Sequence, residues 1–225
     1  MALIRGVAIG LFPLLLGVFA ALYALDPDTY RRVLEEDGAV ENITVVFLFL
    51  AATLALVRAW RVSRRGRLHL WFYVVFAAGC LTVAGEEMSW GQRILDFASP
   101  QFFIEHGRQA ETNVHNVVER WTKLTTKDFL AAACLLYGIG LPILASRSRR
   151  VRRLAGRLGP LVPPLFLVPG FAFTALLQFD YPTGREEEIG EMFLSLCASL
   201  IMLDDIVGPA HARSAFGDGP CPGAT

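Results

Sequence analysis

The sequence predicts an all-α fold: a polytopic transmembrane helix bundle of about six spans, with an interfacial helix in the outer loop 86–127. Two observations predict it. The 225 residues are 54% hydrophobic, above the roughly 45–50% that is usual in soluble domains. The apolar residues also cluster in runs close to the ~20 residues that a helix needs to cross a bilayer. Backbone groups in lipid need internal hydrogen bonds, and no period-two alternation favours a barrel, so we interpret the runs as helices.

Six apolar runs define the predicted spans. They are 6–25, 43–60, 68–85, 128–146, 160–179 and 188–207. The length of the first run favours a retained span over a signal peptide, and cleavage within residues 1–25 is the alternative. The prolines that open the fifth run predict a kink there. We expect residues 1–208 to form one six-helix domain, and the Gly- and Pro-rich residues 209–225 to form a disordered cytoplasmic tail.

Arginine-rich loops predict the orientation of the bundle. The short loops at 58–67 and 147–157 are dense in arginine, which places them in the cytoplasm by the positive-inside rule. Most acidic residues then fall on the outer face, although the formal net charge is zero. This pattern predicts a multi-pass protein of a bacterial inner membrane with both termini cytoplasmic. The expected partners are membrane lipids and not nucleic acid, because no aromatic residues interleave the basic loops.

Polar residues are concentrated where four chain segments meet the predicted outer face. These segments are 35–44, 81–93, 110–116 and 185–193. In the last segment Glu188 and Glu191 are three residues apart and therefore share one helix face. Glu191 is followed by an apolar run, and a charge inside a span is costly, so it should face the bundle interior and have a partner.

The third of these segments combines nitrogen and oxygen ligands. Glu111 and His115 are four residues apart, and Asn113 and Asn116 lie beside them. The apolar residues around them recur at helical spacing, which favours a helix lying in the membrane interface with its apolar side down.

The coincidence of these groups on one face predicts a carboxylate and histidine site. Neighbouring carboxylates must share protons, pair with arginine or bind a cation. A divalent metal such as zinc is the candidate cofactor. The candidate acid–base groups are Glu86, Glu87, His115 and Glu191; the candidate substrate-binding groups are Arg93, Asn113, Asn116 and Glu41; and the candidate metal ligands are Glu87, His115, Glu188 and Glu191. Adjacent helical residues point about 100° apart, so one of Glu86 and Glu87 should aim into the bundle, and we favour Glu87.

Several of the polar residues in these segments also have a simpler explanation. Glu187 and Glu188 suit a helix N-terminus because of the macrodipole, Trp90 suits an interfacial anchor, and Arg93 could simply neutralise Glu86 or Glu87. The function therefore stays open among three classes. The first is a metal- or proton-assisted enzyme acting on a lipid or envelope substrate. The others are a small proton-coupled transporter, and a non-catalytic membrane scaffold or assembly factor.

Four motifs carry a resemblance to a known group of proteins. EDGAVE at 36–41, GEEMSWGQR at 85–93, ETNVHN at 111–116 and EEIGEM at 187–192 resemble the pattern of a family of multi-spanning bacterial membrane proteins. The resemblance covers about residues 36–207 and implies a multi-spanning fold, but it brings no reaction or substrate with it. The chain is only loosely similar to membrane hydrolases of the alkaline ceramidase type, because it lacks their His-x-x-x-His pair.

Overall fold

The computed structural model describes residues 2–63, 70–107, 112–122, 125–158 and 161–207. These residues form helices and contain no strand, so the all-α prediction is confirmed for the part of the chain that is described. The α-helices are α1 (Ala2–Leu25), α2 (Pro27–Val33), α3 (Ala39–Ser63), α4 (Leu70–Glu87), α5 (Gln92–Leu95), α6 (Gln101–His106), α7 (Val114–Thr122), α8 (Thr126–Ala133), α9 (Leu141–Arg147), α10 (Arg149–Leu158), α11 (Val168–Leu177) and α12 (Glu186–Val207).

Three helical segments of the described chain are long and apolar enough to cross a membrane. They are α3, α4 and the segment Thr126–Arg147, in which a π-helical stretch at Cys134–Gly140 joins α8 to α9. The apolar stretches Ile9–Leu25 and Leu165–Leu177 are shorter. By length and composition these helices identify the chain as a membrane protein, and the prediction of six spans stays a prediction.

The centre of the bundle is formed by α3, α4 and α12. The face of α3 that packs inward carries small side chains, including the buried Ala51, Ala55 and Ala59, and small residues allow helices to approach closely in membranes. Ser199 of α12 donates a hydrogen bond of 2.8 Å to the Phe47 carbonyl of α3. On its other side α12 packs against α11, which also contacts the π-helical stretch.

In place of the predicted kink, the fifth apolar run begins with non-helical backbone. Residues 161–164 are not helical, a 3₁₀ turn follows at Leu165–Leu167, and α11 begins at Val168. Prolines lack the N–H that would continue a helix. The Tyr137 hydroxyl donates to the Leu161 carbonyl at 2.8 Å and supplies one partner for this non-helical backbone.

A glycine determines how α1 reaches the bundle. A Cβ atom at Gly170 would lie 2.5 Å from Phe12 Cζ and 2.6 Å from Cys197 Sγ. Phe12 and Cys197 are both fully buried. The absence of a side chain at Gly170 therefore lets α1, α11 and α12 meet at one point.

The two ends of the bundle differ in charge. At one end, which we call the carboxylate end, Glu87 at the end of α4 meets Glu188 and Glu191 at the start of α12. At the other, the arginine end, Arg58 of α3 forms an ion pair of 2.6 Å with Asp205 of α12. The two ends are separated by about 25 Å along α12, from Glu188 to Asp205, at roughly 1.5 Å per residue. Hence α3 and α12 run parallel to each other and α4 runs antiparallel to both.

Candidate carboxylate site

Three carboxyl groups come together at the carboxylate end. One carboxylate oxygen from each of Glu87, Glu188 and Glu191 lies within 4.8 Å of the other two, and all three residues are partly exposed. The helix period explains the set: Glu188 and Glu191 are one turn apart on α12, and the antiparallel α4 brings its last residue to the same level. Glu41, Glu187 and Arg185 are close enough to interact electrostatically with Glu188.

Glu86 turns away from this group. Its Oε1 accepts a hydrogen bond of 2.6 Å from the indole Nε1 of Trp90. Trp90 folds back over the end of α4 because residue 85 is a glycine: a Cβ there would lie 2.9 Å from Trp90 Cε3. The sequence places Glu86 and Glu87 about 100° apart on the helix, and in the structure Glu87 is the one that joins the three-carboxylate group.

Glu41 is held by the backbone before its own helix. It is 8% exposed, and its Oε2 accepts a hydrogen bond of 2.7 Å from the Asp37 N–H. A side chain in the first helical turn that reaches back in this way satisfies a backbone donor that has no helical partner. Glu41 therefore stabilises the start of α3, and the substrate-binding role predicted for it stays a prediction.

The segment after α4 is held together by polar side chains. Ser89 is fully buried and Asn113 is 4% exposed, and the Asn113 Nδ2 donates to Ser89 Oγ at 3.3 Å. Gln92 Oε1 accepts from the Thr112 N–H at 2.9 Å and from Ser99 Oγ at 3.0 Å. Asn113 and Thr112, just before α7, thus contact Ser89 and Gln92, just after α4. The substrate-binding role predicted for Asn113 stays a prediction.

Several predicted site residues lie outside the described residues. Glu111 belongs to a gap in the described chain, and the side chains of Arg93, His115 and Asn116 are among those not described. The backbone at 115 and 116 belongs to the first turn of α7. The predicted roles of His115 as an acid–base group or metal ligand and of Arg93 and Asn116 as substrate-binding groups stay predictions.

Lys127 brings a positive charge to the edge of the site. Its ammonium forms ion pairs with Asp180 and Glu187, and Asp180 Oδ1 accepts from the Glu187 N–H at 3.0 Å. The lysine therefore joins α8, the loop before α12 and α12 itself. It also compensates the charge of Glu187, which precedes Glu188 in the sequence and is not part of the three-carboxylate group.

A buried acid that the sequence interpretation overlooked, Glu186, lies two residues before Glu188. Glu186 is 2% exposed, and its carboxylate accepts hydrogen bonds from the Tyr30 hydroxyl at 3.0 Å, from the Thr183 hydroxyl at 2.6 Å and from the backbone N–H groups of Thr183 and Gly184 at 3.0 Å. Burial by itself raises the pKa of Glu186, but the hydrogen bonds from Thr183, Tyr30 and Gly184 outweigh it and hold the pKa below its ordinary value. Burial and the adjacent Glu186 raise the pKa of Tyr30.

A sequence signal for Glu186 does exist. Thr183 and Glu186 have the Ser/Thr-x-x-Glu spacing of a capping box, in which the glutamate reaches back to the backbone N–H of the capping residue. That spacing identifies Glu186 as a local helix cap. The contact with Tyr30, 156 residues away along the chain, is a product of the tertiary fold.

The arginine end has its own polar cluster. Asp205 accepts from Arg58 Nε at 2.6 Å and from the Tyr73 hydroxyl at 2.9 Å, so α3, α4 and α12 are joined there. Since both charged partners are mostly buried, this cluster holds the helices together.

The three-carboxylate group can hold protons or a cation. Three ionised carboxylates at this spacing repel one another, so the arrangement is favourable when they share protons or surround a positive ion. Oxygen-only ligand sets suit calcium, magnesium and manganese, whereas zinc favours nitrogen or sulfur ligands as well.

Comparisons with protein-family models, with curated proteins and with solved structures find no significant match for this chain.

Proposed function

We propose that this chain is a multi-pass protein of a bacterial inner membrane that binds a divalent cation through Glu87, Glu188 and Glu191 at the outer face. We further propose that the cation site serves an enzyme acting on a lipid-like or envelope substrate. The observation that carries the proposal is the approach of three carboxylates, from two helices, to within 4.8 Å of one another. A bound cation offsets the repulsion among these charges.

The position of the site supports a substrate that lies in the membrane surface. The group stands at the end of the candidate span α4, and all three acids are partly exposed. The neighbouring helices α6 and α7 expose the apolar side chains of Phe102, Ile104 and Trp121. In the proposed six-span topology these two helices lie in the outer interface, where aromatic residues are favoured. A lipid headgroup in the same layer would reach the acids without leaving the membrane.

The site suits a hard cation whose coordination sphere is only partly filled by protein ligands. Three carboxylates occupy part of the coordination sphere of calcium, manganese or magnesium, and those ions take six or more oxygen ligands. A cation there would polarise a phosphoryl or carbonyl oxygen of the substrate. A neighbouring glutamate that is not a ligand could move a proton, and Glu86, which accepts a hydrogen bond from Trp90, is adjacent in sequence to the proposed ligand Glu87.

Cation binding by the purified protein tests the proposal. In an uncharged detergent, calorimetric titration with Mn²⁺ and Ca²⁺ separately should show one saturable site. Glu191→Gln removes one negative ligand at nearly constant volume and should weaken binding by about tenfold or more, by comparison with the 10–100-fold losses that even outer-shell changes cause. The matched control is Glu35→Gln, because Glu35 is exposed at the same end of the molecule.

The enzymatic part of the proposal has a separate test. Phospholipid vesicles incubated with the protein and Mn²⁺ should yield cleaved lipid, and the yield should drop with Glu191→Gln and not with Glu35→Gln. Absence of saturable binding for both cations, or equal affinities of the wild type and Glu191→Gln, would reject the cation site. If Glu191→Gln instead lowers the stability of the protein and leaves the binding of both cations unchanged, the cluster joins helices, as expected for a scaffold.

A further inference from the structure

The helix α10 carries a row of arginines at the arginine end. Arg149, Arg150, Arg153 and Arg157 are all exposed. At 3.6 residues per turn these four positions fall within an arc of about 100° around the helix. Arg152 lies outside the arc and folds back, so that its guanidinium donates to the Ala145 carbonyl at 3.0–3.1 Å.

The arginine arc faces away from the bundle. Ala155 is 5% exposed, and by the helix period it lies opposite the centre of the arc. The side of α10 that contains Ala155 therefore packs on the protein, and the arc points outward. Within the described residues, none of these four arginines forms an ion pair with an acidic side chain.

The height of α10 relative to the membrane follows from its connection. Ser148 alone separates it from the candidate span Thr126–Arg147, and that span begins at the carboxylate end, where Lys127 pairs with Glu187. Its 22 residues cover about 33 Å, close to the ~30 Å of a bilayer's hydrocarbon core. The helix α10 therefore begins at the level of the lipid headgroups. Leu154, which borders the arc, is 56% exposed and can contact the adjoining acyl chains.

We propose that Arg149, Arg150, Arg153 and Arg157 of α10 bind the phosphate groups of anionic phospholipids in the leaflet at the arginine end. The guanidinium group matches phosphate oxygens with two parallel hydrogen bonds, and basic residues near an anionic leaflet are attracted to its surface potential. The exposed Leu154 beside the arc favours a lipid over a nucleic acid, which would leave that leucine in water. The site is independent of the three-carboxylate group.

Lipid binding to the full-length protein in uncharged detergent tests this proposal. Short-chain phosphatidylglycerol and phosphatidylcholine are titrated separately, and the bound lipid is counted by native mass spectrometry. The wild type should bind phosphatidylglycerol at least about tenfold more tightly. The variant with all four arginines changed to glutamine should lose that preference, since each basic residue near an anionic surface contributes about fivefold. Raising the salt concentration should weaken the preference as well.

Two further variants make the result specific. Changing the four arginines to lysine keeps the charge and should keep most of the preference. Arg31→Gln with Arg32→Gln removes two exposed arginines near the carboxylate end and should leave the preference intact. If the four-glutamine variant does not fold, Arg149→Gln with Arg153→Gln gives the same comparison with a smaller loss. An unchanged preference in the glutamine variants, an equal loss in the Arg31/Arg32 variant, or tighter binding of single-stranded RNA than of phosphatidylglycerol would overturn the proposal.

Discussion

Four acids at the carboxylate end, all within two turns of α12, differ in what surrounds them. Glu186 is enclosed by hydrogen-bond donors from Tyr30, Thr183 and Gly184. Glu187 is paired with Lys127. Glu188 and Glu191 instead face Glu87, a third carboxylate. Glu186 and Glu187 therefore stabilise the fold through their donors and their ion pair, whereas the mutual repulsion of Glu87, Glu188 and Glu191 is reduced when the group shares a proton or binds a cation.

Glu186 should be a major determinant of stability. Glu186→Ala leaves the Tyr30 hydroxyl and the backbone donors of residues 183 and 184 without their acceptor, and we expect it to lower the free energy of unfolding by about 2–4 kcal/mol. Denaturant unfolding in mild detergent measures this change. Glu36 is exposed, so Glu36→Ala is the control and should stay within about 0.5 kcal/mol. Similar losses in both variants would contradict the structural role.

The lowered pKa of Glu186 predicts a pH dependence. A carboxyl whose pKa is lower in the folded protein than in the unfolded chain stabilises the fold at pH values above its unfolded pKa, and this contribution disappears as the pH falls through the folded value. The ordinary value for Glu186 is 4.5, so its contribution should be complete at pH 6 and decline below about pH 4.5. In a thermal scan against pH, Glu186→Gln should show a smaller decline than the wild type. Parallel curves would argue against a lowered pKa.

At the scale of elements, irregular features occur where helices end or approach closely. The α4 helix ends at Glu87, and Trp90 and Gly91 then adopt positive φ values of 53° and 79°, which reverses the chain and returns the Trp90 ring to Gly85. In the π-helical stretch, a Cβ at Gly138 would lie 2.2 Å from the Phe171 ring, so α11 packs directly on that backbone. These features are local in sequence, but their contacts are made with other elements.

A substitution at Gly170 tests the close approach of α1, α11 and α12. Gly170→Ala would place a methyl group against Phe12 and Cys197, and overpacking of this kind costs about 1–3 kcal/mol. We expect a lower melting temperature in detergent. Gly79→Ala in α4 is the matched control, because nothing lies within 4 Å of its Cβ position, and alanine there should be neutral or stabilising by up to about 1 kcal/mol. A neutral Gly170→Ala would show that the three helices are not tightly packed there.

At the scale of the whole molecule, charge is divided between the two ends of one bundle. Glu87, Glu188 and Glu191 lie at the carboxylate end. The exposed arginines of α10 lie at the opposite end, beyond the span Thr126–Arg147. In a membrane this asymmetry predicts the orientation, because the positive-inside rule places basic loops in the cytoplasm. The carboxylate site would then face outward.

Reporter fusions test this orientation. A reporter that is active only outside the inner membrane should be silent when fused near residue 63 or 152, and active when fused near residue 105. The physical reason is the retention of arginine-rich loops in the cytoplasm. The ion pair of Lys127 with Glu187 places the start of the span Thr126–Arg147 at the carboxylate end, so fusions at 105 and at 152 should give opposite results. The inverse pattern would place the carboxylate site in the cytoplasm.

The sequence by itself determined the all-helical class and the membrane-spanning character, because both follow from the length and composition of local apolar runs. Within the described residues, three helical segments are long and apolar enough to be membrane spans. It also indicated that Glu188 and Glu191 share a helix face, since that depends on spacing alone. The helix period indicates that only one of the adjacent Glu86 and Glu87 can point into the bundle. Which of the two does so depends on the positions of Trp90 and α12.

The tertiary structure alone decided which partner each acidic side chain contacts. Tyr30 and Glu186, Arg58 and Asp205, and Lys127 and Glu187 are 156, 147 and 60 residues apart in the chain, and no local pattern specifies such pairs. The physical reason is that a carboxylate near lipid takes whichever donor, cation or second carboxylate the packing of the helices brings to it. The pattern of apolar residues predicts where a helix forms. The rotation and axial position of the packed helices relative to one another decide which of their acidic residues lie close enough to form a site.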